Sequence, residues 1–153
     1  MWHAEHILQT TTEPEAIWAR WMDVPSWPEW DGGLDEARCS GPVASGSLLT
    51  LNLHPSGVQT MQVIEVQDGR GFTCRRKGFL VEERIQRSCE PSPLGCRVIQ
   101  RVEVRGPMAW WLHLISARRL RENLPKVLRR LAHIASKKSS EASTAESPTS
   151  ASV

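Results

Sequence analysis

Residues 107–136 read PMAWWLHLISARRLRENLPKVLRRLAHIAS, and the spacing of their apolar side chains decides the architecture. Trp110, His113, Ala117, Leu120, Leu124, Val127, Leu131 and Ile134 recur at intervals of 3, 4, 3, 4, 3, 4 and 3, which predicts one helix with all of them on a single face. Arg118, Arg119, Arg121, Arg129 and Arg130 fall mostly off that stripe. Gly106-Pro107 opens the helix. Pro125 removes an interior hydrogen bond and crowds the carbonyl of Arg121, so a bend is expected over 121–125. A helix this amphipathic needs a partner surface, and the preceding residues supply one.

From Leu34 to Val104 turn signals recur at strand spacing: Gly41-Pro42, Pro55-Ser56-Gly57, Asp68-Gly69, Gly78 and Pro91-Ser92-Pro93-Leu94-Gly95. Strands are predicted over 34–40, 47–54, 58–66, 71–77, 79–89 and 96–105, joined by connections short enough to favour antiparallel neighbours. Several alternate cleanly. Leu49, Leu51 and Leu53 oppose Thr50, Asn52 and His54, and Val98, Val102 and Val104 oppose Arg97, Arg101, Glu103 and Arg105. Such strands turn one face to a core and one to water.

Toward the N-terminus, residues 2–11 alternate imperfectly and suit a first strand. Thr12-Glu13-Pro14-Glu15 reads as a helix start, with Thr12 or Glu13 near the cap and Pro14 in the first turn. The short helix that follows is apolar through Ile17, Trp18 and Trp21. Pro25 and Pro28 then interrupt regular structure, which leaves Trp27 and Trp30 on an irregular segment or a second short helix.

The chain of 153 residues has the length of a single domain. Residues 139–153, rich in Ser, Ala, Thr and Glu, hold too little apolar surface to offset their ordering entropy, so the domain is placed at 1–138 and a disordered tail at 139–153. The net charge of +2 hides an excess in 107–138, which carries 8 basic and 1 acidic side chains. An excess on a helix is ordinarily its solvated face, but it can also meet an anionic surface. Cys39, Cys74, Cys89 and Cys96 form no CxxC pair and no zinc-type spacing with the histidines, so no metal site is expected. No signal peptide and no membrane-spanning run is evident, which implies a cytoplasmic protein with reduced thiols. Cys89 and Cys96 flank a turn-like segment and could face each other across a hairpin.

Two stretches carry a family likeness: Ile17-Trp18-Ala19-Arg20-Trp21-Met22-Asp23-Val24, and Trp27-Pro28-Glu29-Trp30-Asp31. With Gly41-Pro42 and Gly46, and with Val102 to Pro107 leading into a helix that holds Asn123-Leu124-Pro125, they resemble the START and Bet v 1-like (SRPBCC) superfamily. The detail is most similar to its polyketide cyclase/dehydrase and lipid-transport branch, over residues 3 to 136. The resemblance implies an α+β helix-grip fold, in which a curved seven-stranded antiparallel sheet surrounds a long C-terminal helix and two short helices follow strand 1. It further implies an apolar cavity that holds lipids, sterols, polyketides or hormones in relatives, and no shared chemistry.

Strand period places Gln100 inward with Val98 and Val102, and Glu83 inward with Val81 and Ile85. His113 lies one helical turn from Trp110. Glu83, Gln100 and His113 could thus point into one apolar space beside Trp110, Ala117 and Leu120, the way a mostly apolar pocket orients a ligand. In the competing arrangement Glu83 turns outward or pairs with Arg76 or Arg101, Gln100 bonds a neighbour and His113 sits at a rim. A one-residue slip of register exchanges the two.

No GxSxG, P-loop or dinucleotide fingerprint is present, which disfavours serine hydrolysis, phosphoryl transfer and Rossmann redox chemistry, and no cofactor is expected. Few basic residues interleave with Trp18, Trp21, Trp27 and Trp30, so nucleic acid is not an expected partner. Three functions remain. The first is a carrier or sensor, monomeric or dimeric, enclosing a small hydrophobic molecule. The second is a cyclase or dehydratase using Glu83 and His113 as acid and base. The third is an interaction protein whose basic 118–130 face makes weak contact with an anionic membrane, without stable insertion.

Overall fold

The structure is a computed structural model that describes residues 1–145, except the side chains of residues 112, 113, 115–117, 119, 120 and 139–145. Strand β1 (Trp2–Thr10) is followed by helix α1 (Pro14–Met22) and a 3-10 helix (Val24–Glu29). Six strands come next: β2 (Leu34–Cys39), β3 (Leu48–Leu53), β4 (Gly57–Gln67), β5 (Gly71–Gly78), β6 (Val81–Ser92) and β7 (Gly95–Arg105). Helix α2 (Ala109–Ala145) ends the described chain. All six strands expected between 34 and 105 form, each within a few residues of its expected span.

The strands make one sheet in the order β1-β7-β6-β5-β4-β3-β2, with every pair antiparallel. Consecutive strands from β2 to β7 are neighbours because their connections are short. The exception is β1, which lies beside the last strand and leaves α1 and the 3-10 helix to cross toward β2. Register shifts at Leu34/Glu36 and at Val63/Glu65 add the local bending that curves a sheet.

Gly106 links β7 to α2 at φ 118°, and a Cβ there would lie 2.3 Å from the carbonyl oxygen of Leu80. No side chain fits at that point, and the close approach brings the β5–β6 turn against the start of α2.

Two apolar clusters hold the layers together. The larger joins Ile17, Trp21, Trp27 and Trp30 to Phe72 on the sheet and to Leu128, Leu131 and Ala135 on α2. The smaller joins Ala4, Val102 and Val104 to Ala109 and Leu124. Trp27 stacks on Phe72 with ring centroids 6.1 Å apart, and its indole N–H donates to the carbonyl of Trp21 at 3.1 Å. Two polar links tie α2 to the N-terminal half: the Thr12 hydroxyl donates to the Ala132 carbonyl at 3.1 Å, and Lys138 pairs with Glu29 at 2.9 Å.

The long helix departs from its expected form in two ways. It starts at Ala109 and reaches Ala145, beyond the limit expected at 136. Its buried side is formed by Leu124, Leu128, Leu131, Ala132 and Ala135, with Val127 and Ile134 only partly covered, whereas Trp110 is 63% exposed. A stripe spaced at 3.5 residues drifts by about 20° per heptad around a helix of 3.6, which is roughly 70° from Trp110 to Ile134. One end of such a stripe can face the sheet while the other faces water.

Cys89 and Cys96 are free and buried, offset in the β6–β7 ladder so that Cys89 opposes Val98 and Cys96 opposes Pro91. Burial pushes their thiols up, to about 12 and about 11.

Candidate functional site

A partly open cavity of about 250 Å³ borders both apolar clusters, lined by the inner face of the sheet, the 3-10 helix segment and α2. Its apolar wall includes Leu51, Met61, Ile85, Val102 and Leu124. Its polar wall includes Asp31, Glu83, Arg87, Gln100 and Asn123.

Gln100 stands where strand period puts it. Val98, Gln100, Val102 and Val104 are all buried along β7, and the intervening residues are more exposed. Its Oε1 atom is buried without a hydrogen-bond partner among the described residues.

Glu83 satisfies both readings of the sequence at once. Its side chain lines the cavity, and its Oε2 accepts from Arg76 Nη2 at 2.7 Å and from Arg76 Nε at 3.1 Å. The two residues are directly opposite in the β5–β6 ladder, the closest cross-strand position for an ion pair. The carboxylate is therefore present at the cavity but already holds a counter-charge.

Of the expected helix residues, Trp110 is not at the cavity. It faces solvent and packs edge-on against Trp111, with centroids 5.8 Å apart. His113, Ala117 and Leu120 fall on α2, and their side chains lie outside the described residues. Leu124 and Val127, farther along the same stripe, do line the cavity.

Sequence reading overlooked Arg87. It continues the inward series Val81, Glu83 and Ile85 along β6 and is 6% exposed. The signal was present as the same two-residue period, but a charged residue at an inward position reads as a surface residue. Its guanidinium carbon sits 4.8 Å from the ring centroid of Trp27, 5.3 Å from that of Trp30 and 5.7 Å from that of Phe72. Cation–π attraction of this kind contributes about 0.5–2 kcal/mol per contact. Burial lowers the pKa of the guanidinium, opposed by the fields of Cys74 and Asp31. The Cys74 thiol beside it is in turn pushed up by burial to about 11, with Arg87 pulling the other way.

Among the described residues, no three His, Cys, Asp or Glu side chains converge as a metal site requires, and no helix is long and apolar enough to cross a membrane.

The same arrangement of sheet and helix recurs in solved structures. The di-domain aromatase/cyclase StfQ of the steffimycin biosynthetic pathway matches with a TM-score of 0.70 at 13% identity, over 90% of this chain and 51% of that one. The chain has the helix-grip fold of START and Bet v 1-like proteins. A protein from Nitrosomonas europaea matches with a TM-score of 0.72 at 11% identity, covering 89% of this chain and 95% of its own. Norcoclaurine synthase from Thalictrum flavum, in complex with dopamine and hydroxybenzaldehyde, matches with a TM-score of 0.68 at 13% identity over 89% of this chain and 87% of that one. This chain spans about half the length of StfQ. No family model matches the sequence, and neither does any curated protein. At these identities the likeness is one of fold, so the helix-grip cavity must be read from its own residues.

Proposed function

We propose that this helix-grip protein encloses a small, largely apolar molecule in its internal cavity and acts in the cytoplasm as a carrier or sensor. The observation that carries this reading is a walled space with buried polar groups facing it, at a place where a protein without a ligand would be expected to pack solid. Its volume, just below the roughly 300–1,000 Å³ usual for ligand sites, favours a compact lipid or a one- or two-ring polyketide-like molecule over a sterol. Trp27 lines the space, so ligand titration followed by intrinsic fluorescence tests the reading directly. A panel of medium-chain and aromatic apolar probes should quench or shift the emission. Silence across the panel, with no co-purifying mass in native mass spectrometry, would remove it.

A second reading is an enzyme of the cyclase or dehydratase type. It is favoured by Glu83, a carboxylate at the cavity wall that could exchange a proton with a poly-carbonyl substrate, with His113 as the second group. Two helix-grip neighbours are named as catalysts, StfQ and norcoclaurine synthase. Turnover of an aromatic polyketide-like substrate that is lost in Glu83→Gln would establish it.

In either reading residues 1–138 are the working domain and 139–153 a dispensable tail. The protein acts as a monomer or dimer, and its basic helix surface makes only weak contact with anionic membranes.

A further inference from the structure

Arg87 and Gln100 are direct partners in the β6–β7 ladder, and each is 6% exposed. Both face the cavity. Cross-strand partners on one face bring their side chains together, so a guanidinium and a carboxamide stand side by side on the cavity's polar wall. Part of their hydrogen-bonding capacity is unused among the described residues. Among the described residues the guanidinium makes no hydrogen bond and no ion pair, its Nε is buried without an acceptor, and Gln100 Oε1 is buried without a donor.

Among the described residues no carboxylate reaches ion-pair distance of Arg87, although the field of Asp31, on the same wall, acts on it. Glu83 is held by Arg76, and Asp31 accepts from the Gly33 backbone N–H at 3.1 Å without reaching ion-pair distance of Arg87. Trp27, Trp30 and Phe72 approach the guanidinium carbon, but aromatic rings cannot satisfy its N–H donors. A buried charge without an acceptor is costly, and an arginine cannot escape that cost by losing its proton.

We propose that Arg87 and Gln100 form an anion-recognition site within the cavity, and that the ligand is a compact apolar carboxylic acid bound as its carboxylate. This inference rests on the ligand-enclosing reading above. The planar fork of the guanidinium matches the two oxygens of a carboxylate, Gln100 meets a neighbouring polar group, and the apolar body lies against Leu51, Met61, Val102 and Leu124. The nearby rings restrict the guanidinium before the ligand arrives, which reduces the ordering cost of binding.

Calorimetric titration of the full chain at neutral pH with 2-naphthoate and with the neutral 2-naphthylmethanol tests the assignment. The carboxylate should bind at least about tenfold tighter, the effect of one hydrogen-bonded charge in an enclosed site. Arg87→Met should reduce that preference to less than about twofold while the alcohol still binds. Equal affinities in the unaltered protein, or a preference that survives Arg87→Met, would overturn the anion site and leave the cavity reading standing. Binding of neither compound would remove the cavity reading and this inference with it. If circular dichroism shows that Arg87→Met does not fold, Arg87→Lys decides the matter: it keeps the charge and lacks the fork, so the preference should fall by at least about threefold, and an unchanged preference overturns the assignment.

Discussion

Arg76 and Glu83 face each other across the β5–β6 ladder and share hydrogen bonds of 2.7 and 3.1 Å at the margin of the cavity. The pair fixes the direction of the β6 carboxylate on the wall and neutralises it, and Arg87, two pleats along the same strand, has no ion-pair partner among the described residues.

Breaking this pair should change the site more than the fold. Both side chains are partly exposed, so Arg76→Met is expected to cost no more than about 1 kcal/mol in denaturant unfolding. It should nevertheless alter the ranking of bound probes, because it releases Glu83 as a competing counter-ion for Arg87. An unchanged ranking would show that Glu83 does not influence the cavity.

Truncations along α2 should differ sharply with position. Leu131→Ala is expected to cost about 2–5 kcal/mol, and Leu124→Ala to fall at the low end of that range because one side of Leu124 already borders the cavity. Trp110→Ala should stay within about 0.5 kcal/mol, as for a surface substitution. Urea titrations of the three variants provide the comparison, and a large loss at Trp110 would contradict its exposure.

Alkaline pH should destabilise the protein through its buried thiols. Cys74, Cys89 and Cys96 are raised from an ordinary value of 9.0 to about 11, about 12 and about 11. Above the ordinary value the unfolded chain releases these protons while the folded chain retains them, so stability present below it is lost as pH climbs toward the folded values. Melting temperatures measured from neutral to strongly alkaline buffer should fall over that window, and Cys89→Ala should lessen the fall. A flat profile would mean that burial does not hold the thiols protonated.

The β5–β6 turn at Phe79-Leu80 exposes apolar side chains. Phe79 is 87% exposed and Leu80 48%, and Lys77, Glu82 and Arg105 flank the turn. Aromatic side chains bordered by basic ones suit the surface of an anionic bilayer. Co-sedimentation with phosphatidylserine vesicles should occur at low salt, weaken at high salt and diminish in Phe79→Ser. Binding that ignores lipid charge would dismiss the contact.

Ending the chain at Lys138 should leave the thermal melt unchanged, since it preserves the pair with Glu29 and the buried Leu131 and Ala135. A lowered midpoint would show that the removed residues contribute to the domain.

Sequence alone determined the features that depend on local period and on turn chemistry. The two-residue alternation of β7 placed Gln100 inward with Val98 and Val102, and that of β6 placed Glu83 inward with Ile85. Proline and glycine punctuation located the strands, and the tryptophan-rich segment after β1 announced its helices. Tertiary structure alone decided the rest, because it depends on groups distant along the chain. The buried side of α2 was settled by contact with α1, β1 and β7, which a drifting apolar stripe could not specify at both ends. Glu83 received its counter-charge from a neighbouring strand. Arg87 became a candidate site only when Trp27 and Trp30 from one segment and Phe72 from another closed around it and its Nε was left without an acceptor among the described residues. A repeating pattern is written in the order of residues, whereas the electrostatic balance of a buried charge exists only among neighbours in space.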